Sequence, residues 1–449
     1  MPLETLTWTG VQHIVVAMTT WTNWAGNVSA EVTLATPGSV GELAKIVGDA
    51  TGRGQRVKAV GAGHSFTDIA ATDGIQLGLD RLAGVVRADR ETGQVTVLAG
   101  TRLHALNAAL WELGLSMTNL GDIDAQSIAG AISTGTHGTG ARFGGLATQV
   151  IGLDLVLADG SQLHCSAGEN PEVFAAARVG LGALGVITTV TLQCEPAYAL
   201  AAAEAPADLD EVLDELDDLV IGNDHFEFFW FPHTRRATTK RNNRVLPDTE
   251  LRPIGRLRHW FDDEFLSNAV FERLNRVTTR RPGLIPHLNG IATKLLGGRD
   301  YIDRSYRVFA SERRVRFREM EYAVPRAAVP HVLTEIERYL ARSGERIGFP
   351  VEVRFAAADD IWLSTAQGRA TGYVAVHQYH RREHEKYFRA VEAITTEVGG
   401  RPHWGKLHYR DADSLRGVYD RFDDFRALRD RLDPHRTFAN EYLTRVLGG

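Results

Sequence analysis

Apolar residues between positions 31 and 197 follow two alternating periods, one matching strands and one matching helices. EVTLATP reads as a strand running into Pro37, and Ser39 with Glu42 three residues on forms a capping box that opens the helix SVGELAKIVGDATGRG. RVKAVGAG is a strand ending in a glycine-rich turn. GQVTVLAG is another strand, HALNAALWELG a helix closed by Gly114, and IGLDLVLADG and GVITTVTLQC are further strands. From about residue 198 the texture changes. AAAEAPADLDEVLDELDDLVIGN predicts an acidic amphipathic helix, HFEFFWF an aromatic strand, and residues 233–318 are crowded with arginine. HVLTEIERYLARSG and HEKYFRAVEAITTEVGG predict helices, FPVEVRF and GYVAVHQYH strands, and a last helix ends in LRDRLDPHRTFANEYLTRVLGG. The change of texture places a domain boundary near Pro196 to Pro206.

Composition narrows the class without naming a chemistry. The 449 residues suggest two or three domains, or one large domain carrying an inserted lobe, and 44% hydrophobic with 24% charged residues is the profile of a globular chain. Fifty Lys and Arg against 56 Asp and Glu leave a charge of −6, which argues against a dedicated nucleic-acid binder. Cys165 and Cys194 lie outside any C-x-x-C pair, so a zinc ribbon or a thioredoxin-type site has no ligands. The apolar run from Ile14 to Met18 is too short for a signal peptide, and no segment has the length of a membrane span. The expected address is the cytoplasm, with the arginine-rich second region able to rest against a membrane surface.

Three spellings invite functional readings that their context does not support. Gly180-Leu-Gly182-Ala-Leu-Gly185 matches the dinucleotide fingerprint, but a helix precedes it and a strand follows, the reverse of the order that brings a helix N-terminus to a pyrophosphate. A tight turn allowing close backbone approach is the better reading. His380-Arg-Arg-Glu383-His384 spells an inverted zincin motif, yet it falls where a strand gives way to a helix, so a solvated helix start is expected and no metal site. HTRRATTKRNNR, residues 233–244, is expected to be a solvated or peripheral basic patch rather than a nucleic-acid surface.

Three polar segments remain that composition does not explain. In Val60-Gly61-Ala62-Gly63-His64-Ser65-Phe66 a histidine is held by glycines directly after a strand. Gly121 to Gly138 is a long loop of small and hydroxylated residues whose backbone N–H groups can crowd around an anion or a planar ring. Two such loops in one α/β region point to a phosphate-bearing cofactor. The third segment is a set of charges on strands: Glu352 and Arg354 share one face while Val351, Val353 and Phe355 share the other. Such a pair is either a structural ion pair or a substrate-orienting one. His377 and Tyr379 repeat the spacing, and His403-Trp404-Gly405-Lys406 puts a lysine beside an aromatic near a turn.

GAGHSFTDIA, QSIAGAISTGTHGTG, GALGVIT, the Glu-x-Arg strand, HWGK and the terminal DPHRTFANEYL together resemble the aldonolactone oxidoreductases of the vanillyl-alcohol-oxidase flavoprotein superfamily. That group holds gulonolactone, galactonolactone and arabinonolactone oxidases or dehydrogenases and the alditol oxidases. The resemblance runs in order from Trp21 to Leu447 and is strongest toward the actinobacterial gulonolactone dehydrogenase type. It implies an α+β fold: a two-subdomain FAD-binding domain of the vanillyl-alcohol-oxidase (PCMH) type, residues 21–197, and an antiparallel-sheet cap, residues 198–430. Residues 431–449 would return to the flavin.

The resemblance also implies site residues. Covalent attachment of FAD falls on His64. Cofactor contacts fall on Gly61, Ala62, Gly63, Ser65, Phe66, Gly121, Ser127, Gly130, Thr134, His137, Gly138, Ile187 and Asn440. Glu352 and Arg354 take the substrate-orienting position, and Lys406 stands by the flavin pyrimidine edge, where a cation favours the charge arriving with hydride. Asp122, Tyr379 and His403 are assigned to the substrate, with His377 a proton acceptor. The donor expected is a small polyhydroxy compound, an aldonolactone or an alditol, and the electron acceptor is oxygen or a quinone or cytochrome-type carrier. Alditol oxidases have Ala-Ser where this chain has Gly121-Asp122, which favours the lactone. Gly121 is also the family's suspected oxygen gate.

Overall fold

The computed structural model describes residues 15–255, 271–295, 297–311 and 315–449. Three sheets of three or more strands organise them. A four-stranded sheet has the order Val15–Thr22, Ser29–Thr36, Ile75–Gly78, Val57–Val60, its first pair antiparallel and the others parallel. An antiparallel five-stranded sheet has the order Val85–Asp89, Gln94–Leu98, Val186–Gln193, Val150–Val156, Gln162–Ser166. These two sheets and their helices close over one apolar core, as an α+β arrangement requires. The predicted helix after Pro37 forms as Val40–Gly52, with Ser39 Oγ accepting from Glu42 N–H at 3.2 Å. Glu42 reaches back to Gly38 N–H at 2.7 Å, one residue earlier than in a standard box.

The third sheet is antiparallel and eight-stranded, in the order Arg299–Arg304, Ala199–Asp208, Arg236–Arg244, His225–Trp230, Val351–Ala356, Thr371–Tyr379, Phe317–Pro325, Arg401–Pro402. Its two faces differ because side chains alternate along each strand. Phe226, Phe228, Val351, Val353, Met320, Tyr322, Val374 and Val376 face an apolar layer formed with helices Val329–Ser343 and Glu385–Glu397. Glu227, Glu352, Arg354, Glu319 and Glu321 lie on the other face and are nonetheless buried. The sheet therefore sets a row of charges against the first two sheets.

Two element predictions are corrected by the fold. Ala199–Asp208 is a strand rather than the start of the acidic helix, which begins at Leu209 and breaks into Leu209–Asp214 and Leu216–Gly222. Pairing on both sides outweighs the local helix propensity of the alanines. Pro206 is tolerated because pairing with Arg299–Arg304 ends at Glu204, so its missing N–H leaves that neighbour without a lost bond. The terminal helix is also two, Phe422–Leu432 and Glu441–Leu447, interrupted at Asp433-Pro434. Asp433 accepts from the backbone N–H groups of Thr437 and Phe438 across the break. Trp404, Leu415, Tyr419 and the apolar faces of these helices join the core of the first two sheets.

The arginine-rich patch divides. Arg236–Arg244 runs inside the large sheet with Lys240 facing inward, and residues 256–270 lie outside the described set. At His380 to His384 the chain turns into the helix Glu385–Glu397, and Glu383 caps it by accepting from Glu385 N–H.

Candidate active site

Strand Val57–Val60 delivers the first glycine loop to the N-terminus of a short helix, Ile128–Ser133. The approach is so close that a Cβ on Gly61 would stand 2.2 Å from Ser127 Oγ, and Gly63 has φ +67°, where a side chain is strained. Ser127 caps that helix by accepting from Gly130 N–H at 3.3 Å. The Gly180 to Gly185 turn forms the third wall, with Leu181 at φ +56° and Gly182 at φ +61°. A narrow cavity of about 110 Å³ between these loops is lined by Gly61, Ala62, Gly63, Ser65, Ser127, Gly130, Thr134 and Ile187. Lys58 lies in its wall. The buried Nζ donates to the carbonyls of Gly182 and Phe438 at 3.3 and 3.2 Å, and burial holds its pKa down to about 7.

The cradle opens into a larger chamber of about 530 Å³, and His64, Ser65, Gln126 and Thr134 line both. The chamber lies between the second glycine loop, which contributes Gly121, Asp122 and His137, and the charged face of the large sheet. Register places the charges in rows. Glu352 pairs with Ala375 and Ala375 with Glu321, so two carboxylates face the chamber across one short side chain. His377 pairs with Glu319 in the next row. A turn after Arg401–Pro402 brings in His403 and Lys406.

Each cation in the chamber is paired with carboxylates. Arg354 is held by Glu352 through Nη2, by Glu227 through Nε at 2.8 Å and by Asp122 through Nη1 at 3.4 Å. Burial opposes its charge, yet the carboxylates keep its pKa well above the ordinary value. Lys406 Nζ lies 2.5 Å from Glu319 Oε2. Burial disfavours the Glu319 charge, but Lys406 and His377 outweigh it and bring the pKa to about 2. His137 donates through Nδ1 to Gly138 O at 2.8 Å, faces Glu321 through Nε2 at 3.1 Å, and stacks on Tyr373 at 3.4 Å. His64, stacked on Trp24 with ring centroids 5.5 Å apart, is neutral: burial, then Lys406 and Arg102, lower its pKa to about 4.

Residues 190–446 match the D-arabinono-1,4-lactone oxidase family, and residues 33–166 match a FAD binding domain. The chain belongs to the D-arabinono-1,4-lactone oxidase family. It is 46% identical over 95% of its length to the L-gulono-1,4-lactone dehydrogenase of Mycobacterium tuberculosis, of which 99% is covered. Identity is 38% to the L-gulonolactone oxidase of Bos taurus, over 91% of this chain and 94% of that one. An alditol oxidase of Streptomyces is 31% identical, over 95% and 99%. Cholesterol oxidase from B. sterolicum superposes over 100% of both chains with a TM-score of 0.83 at 18% identity, which establishes the shared fold. As a member of this family the protein is an FAD-dependent oxidoreductase with a PCMH-type FAD domain. The cradle fits that cofactor: its lining of Gly61, Gly63, Ser65, Ser127, Gly130 and Thr134 offers backbone N–H and hydroxyl groups, and a Cβ on Gly61 would collide with Ser127 Oγ.

Among the family residues expected from sequence, the structure brings together at the chamber His64, Phe66, Gly121, Asp122, His137, Glu352, Arg354, His403 and Lys406. His377 and Tyr379 do not line it. His377 stands behind Glu319, with Nε2 3.5 Å from Glu319 Oε1 and Nδ1 3.1 Å from Pro350 O. Tyr379 is buried beside Phe317 and Phe349 and donates to Glu272 at 2.6 Å. Asn440 lines neither cavity; its amide ties the loop after the first glycine segment, through the carbonyls of Asp68, Ile69 and Ala71. Gly138 likewise acts through backbone, since a Cβ there would meet Leu120 O at 2.2 Å.

Sequence reasoning did not single out Glu319, Glu321, Trp24, Gln126 or Lys58. A signal existed for the two glutamates. Glu319-Met-Glu321 has the same spacing of charges on an apolar strand as Glu352-Val-Arg354.

Proposed function

We propose that this protein oxidises a sugar-derived 1,4-lactone, such as L-gulono- or D-arabinono-1,4-lactone, at the C2 carbinol. The observation that carries the reading is the Glu352 and Arg354 pair, which faces a chamber continuous with the glycine cradle and shares it with Lys406. Bound flavin supplies the two-electron acceptor, and His64 is the residue that holds it covalently. The electron pair of the C2–H bond leaves as hydride, while the hydroxyl proton passes to the chamber carboxylates. Arg354 and Glu352 orient the hydroxyls. Lys406 supplies positive charge where negative charge accumulates. His377 stands outside the chamber, in contact with the Glu319 carboxylate at 3.5 Å, and there it supports the charge of Glu319.

Five carboxylates, Asp122, Asp124, Glu319, Glu321 and Glu352, line the chamber against two cations, Arg354 and Lys406. That balance suits a neutral lactone ring. Electrons then leave to oxygen or to a quinone or cytochrome-type acceptor. Gly121 lines the chamber, and a Cβ there would come within 3.0 Å of His137 O, so a larger residue would narrow this side.

Anaerobic mixing tests the reading. Bleaching of the flavin by a 1,4-lactone and not by xylitol is expected; bleaching by xylitol alone would replace it with an alditol oxidase. Glu352→Gln is expected to slow that bleaching, and an unchanged rate would return the pair to a purely structural role. His64→Ala is expected to release its flavin on acid precipitation while the parent retains it.

A further inference from the structure

Behind Arg354, away from the chamber, stands a second buried pair. Glu227 on strand His225–Trp230 and Lys240 on strand Arg236–Arg244 are partners in register, and Phe228 pairs with Val353 on the next strand. Lys240, Glu227 and Arg354 thus form a row across three strands, positive, negative, positive. Glu227 Oε2 accepts from Arg354 Nε at 2.8 Å, and Glu227 Oε1 lies 3.6 Å from Lys240 Nζ, which donates to Val308 O at 3.1 Å. All three side chains are largely buried. Neither Glu227 nor Lys240 lines the chamber.

A guanidinium has five N–H donors in one plane, so a fixed acceptor on Nε sets the direction of the other edges. Three carboxylates hold Arg354. Glu352 and Asp122 line the chamber, where a bound hydroxyl competes for the same donors, and Asp122 makes the longest contact. Glu227 is out of substrate reach, so its contact persists when the others are exchanged. Lys240 keeps Glu227 ionised: burial works against that charge, Arg354 and then Lys240 favour it, and its pKa lies below the ordinary value.

We propose that Glu227, charge-balanced by Lys240, is a positioning residue for the reaction, fixing the plane of the Arg354 guanidinium from behind. The inference rests on the assignment of Arg354 to substrate orientation. In the FAD-loaded enzyme, Glu227→Gln keeps the shape of the contact and removes its charge. Flavin reduction, driven by whichever lactone or polyol bleaches the parent, is expected to slow by about ten- to a hundredfold, the scale of a small misplacement of reacting groups. Flavin content is expected to stay at the parent value, while the melting temperature falls because two buried cations lose a shared counter-ion. In an Arg354→Lys background the same substitution is expected to add less than about twofold, because its effect passes through the guanidinium.

A parent rate of reduction in Glu227→Gln, or an equal effect with and without Arg354, overturns the proposal. If Glu227→Gln does not fold, Lys240→Met carries the test with the same direction and the same dependence on Arg354. A parent flavin bleached by xylitol and not by lactones would reject the lactone reading while leaving this test intact.

Discussion

Lys406 Nζ lies 2.5 Å from Oε2 of Glu319, although the lysine belongs to a turn and the glutamate to a strand 87 positions earlier. The pair lies in the chamber wall, so Lys406 contributes a charge there that is fixed in place. Burial disfavours that charge, and the carboxylates of Glu319 and Glu321 more than restore it, raising the lysine pKa.

Lys406→Met should therefore cut the rate of flavin reduction by about a hundredfold, the usual cost of losing one preorganised charge-stabilising group. It should also shift the flavin midpoint potential to a more negative value. Stopped-flow reduction and a redox titration check both, and a parent potential would show that Lys406 does not act on the flavin.

Gly61→Ala should abolish flavin loading, because the new Cβ falls on Ser127 Oγ. Adding Ser127→Gly removes that atom and should restore the 450 nm absorbance of the purified protein. The helix then loses a cap, but glycine in place of a capping serine costs only a few tenths of a kcal/mol. A flavin-free double variant would mean that Ser127 itself binds the cofactor.

The covalent bond assigned to His64 requires a neutral imidazole. Its pKa is about 4, set by burial and then by Lys406 and Arg102, so the lone pair is available throughout the neutral range and is lost only as pH falls through about 4. Flavin-free protein mixed with FAD should attach it to the same extent between pH 6 and 8. Acid-stable flavin fluorescence on a denaturing gel measures this, and a halving between those limits would contradict the neutral-histidine picture. The same shift costs stability as pH falls from about 6.5 toward 4, because the unfolded chain takes up a proton that the folded one excludes.

The acidic chamber should separate a lactone from its own hydrolysis product. The open-chain aldonate carries a carboxylate into a space with five acidic residues, and like charges at close range disfavour one another. Pre-hydrolysed substrate should neither bleach the flavin nor slow the reaction with fresh lactone. Competitive inhibition by the aldonate would show that Arg354 and Lys406 dominate the field.

Sequence alone determined the parts of this protein that depend on near neighbours. Period-two alternation predicted Val351–Ala356 and put Glu352 and Arg354 on one face, and the glycines of Gly61 to Gly63 marked a loop where backbone must pass closely. The context of Gly180 to Gly185 excluded a dinucleotide helix, and the ordered motifs pointed to the family. Tertiary structure decided what depends on register between distant strands. It moved Ala199–Asp208 from helix to strand, placed Glu319 between His377 and the chamber, turned Tyr379 away toward Glu272, and set Glu227 and Lys240 behind Arg354. The reason is physical: hydrogen-bonded pairing between segments that are not neighbours in sequence is worth more than local propensity, and no local pattern records which residue lies opposite which.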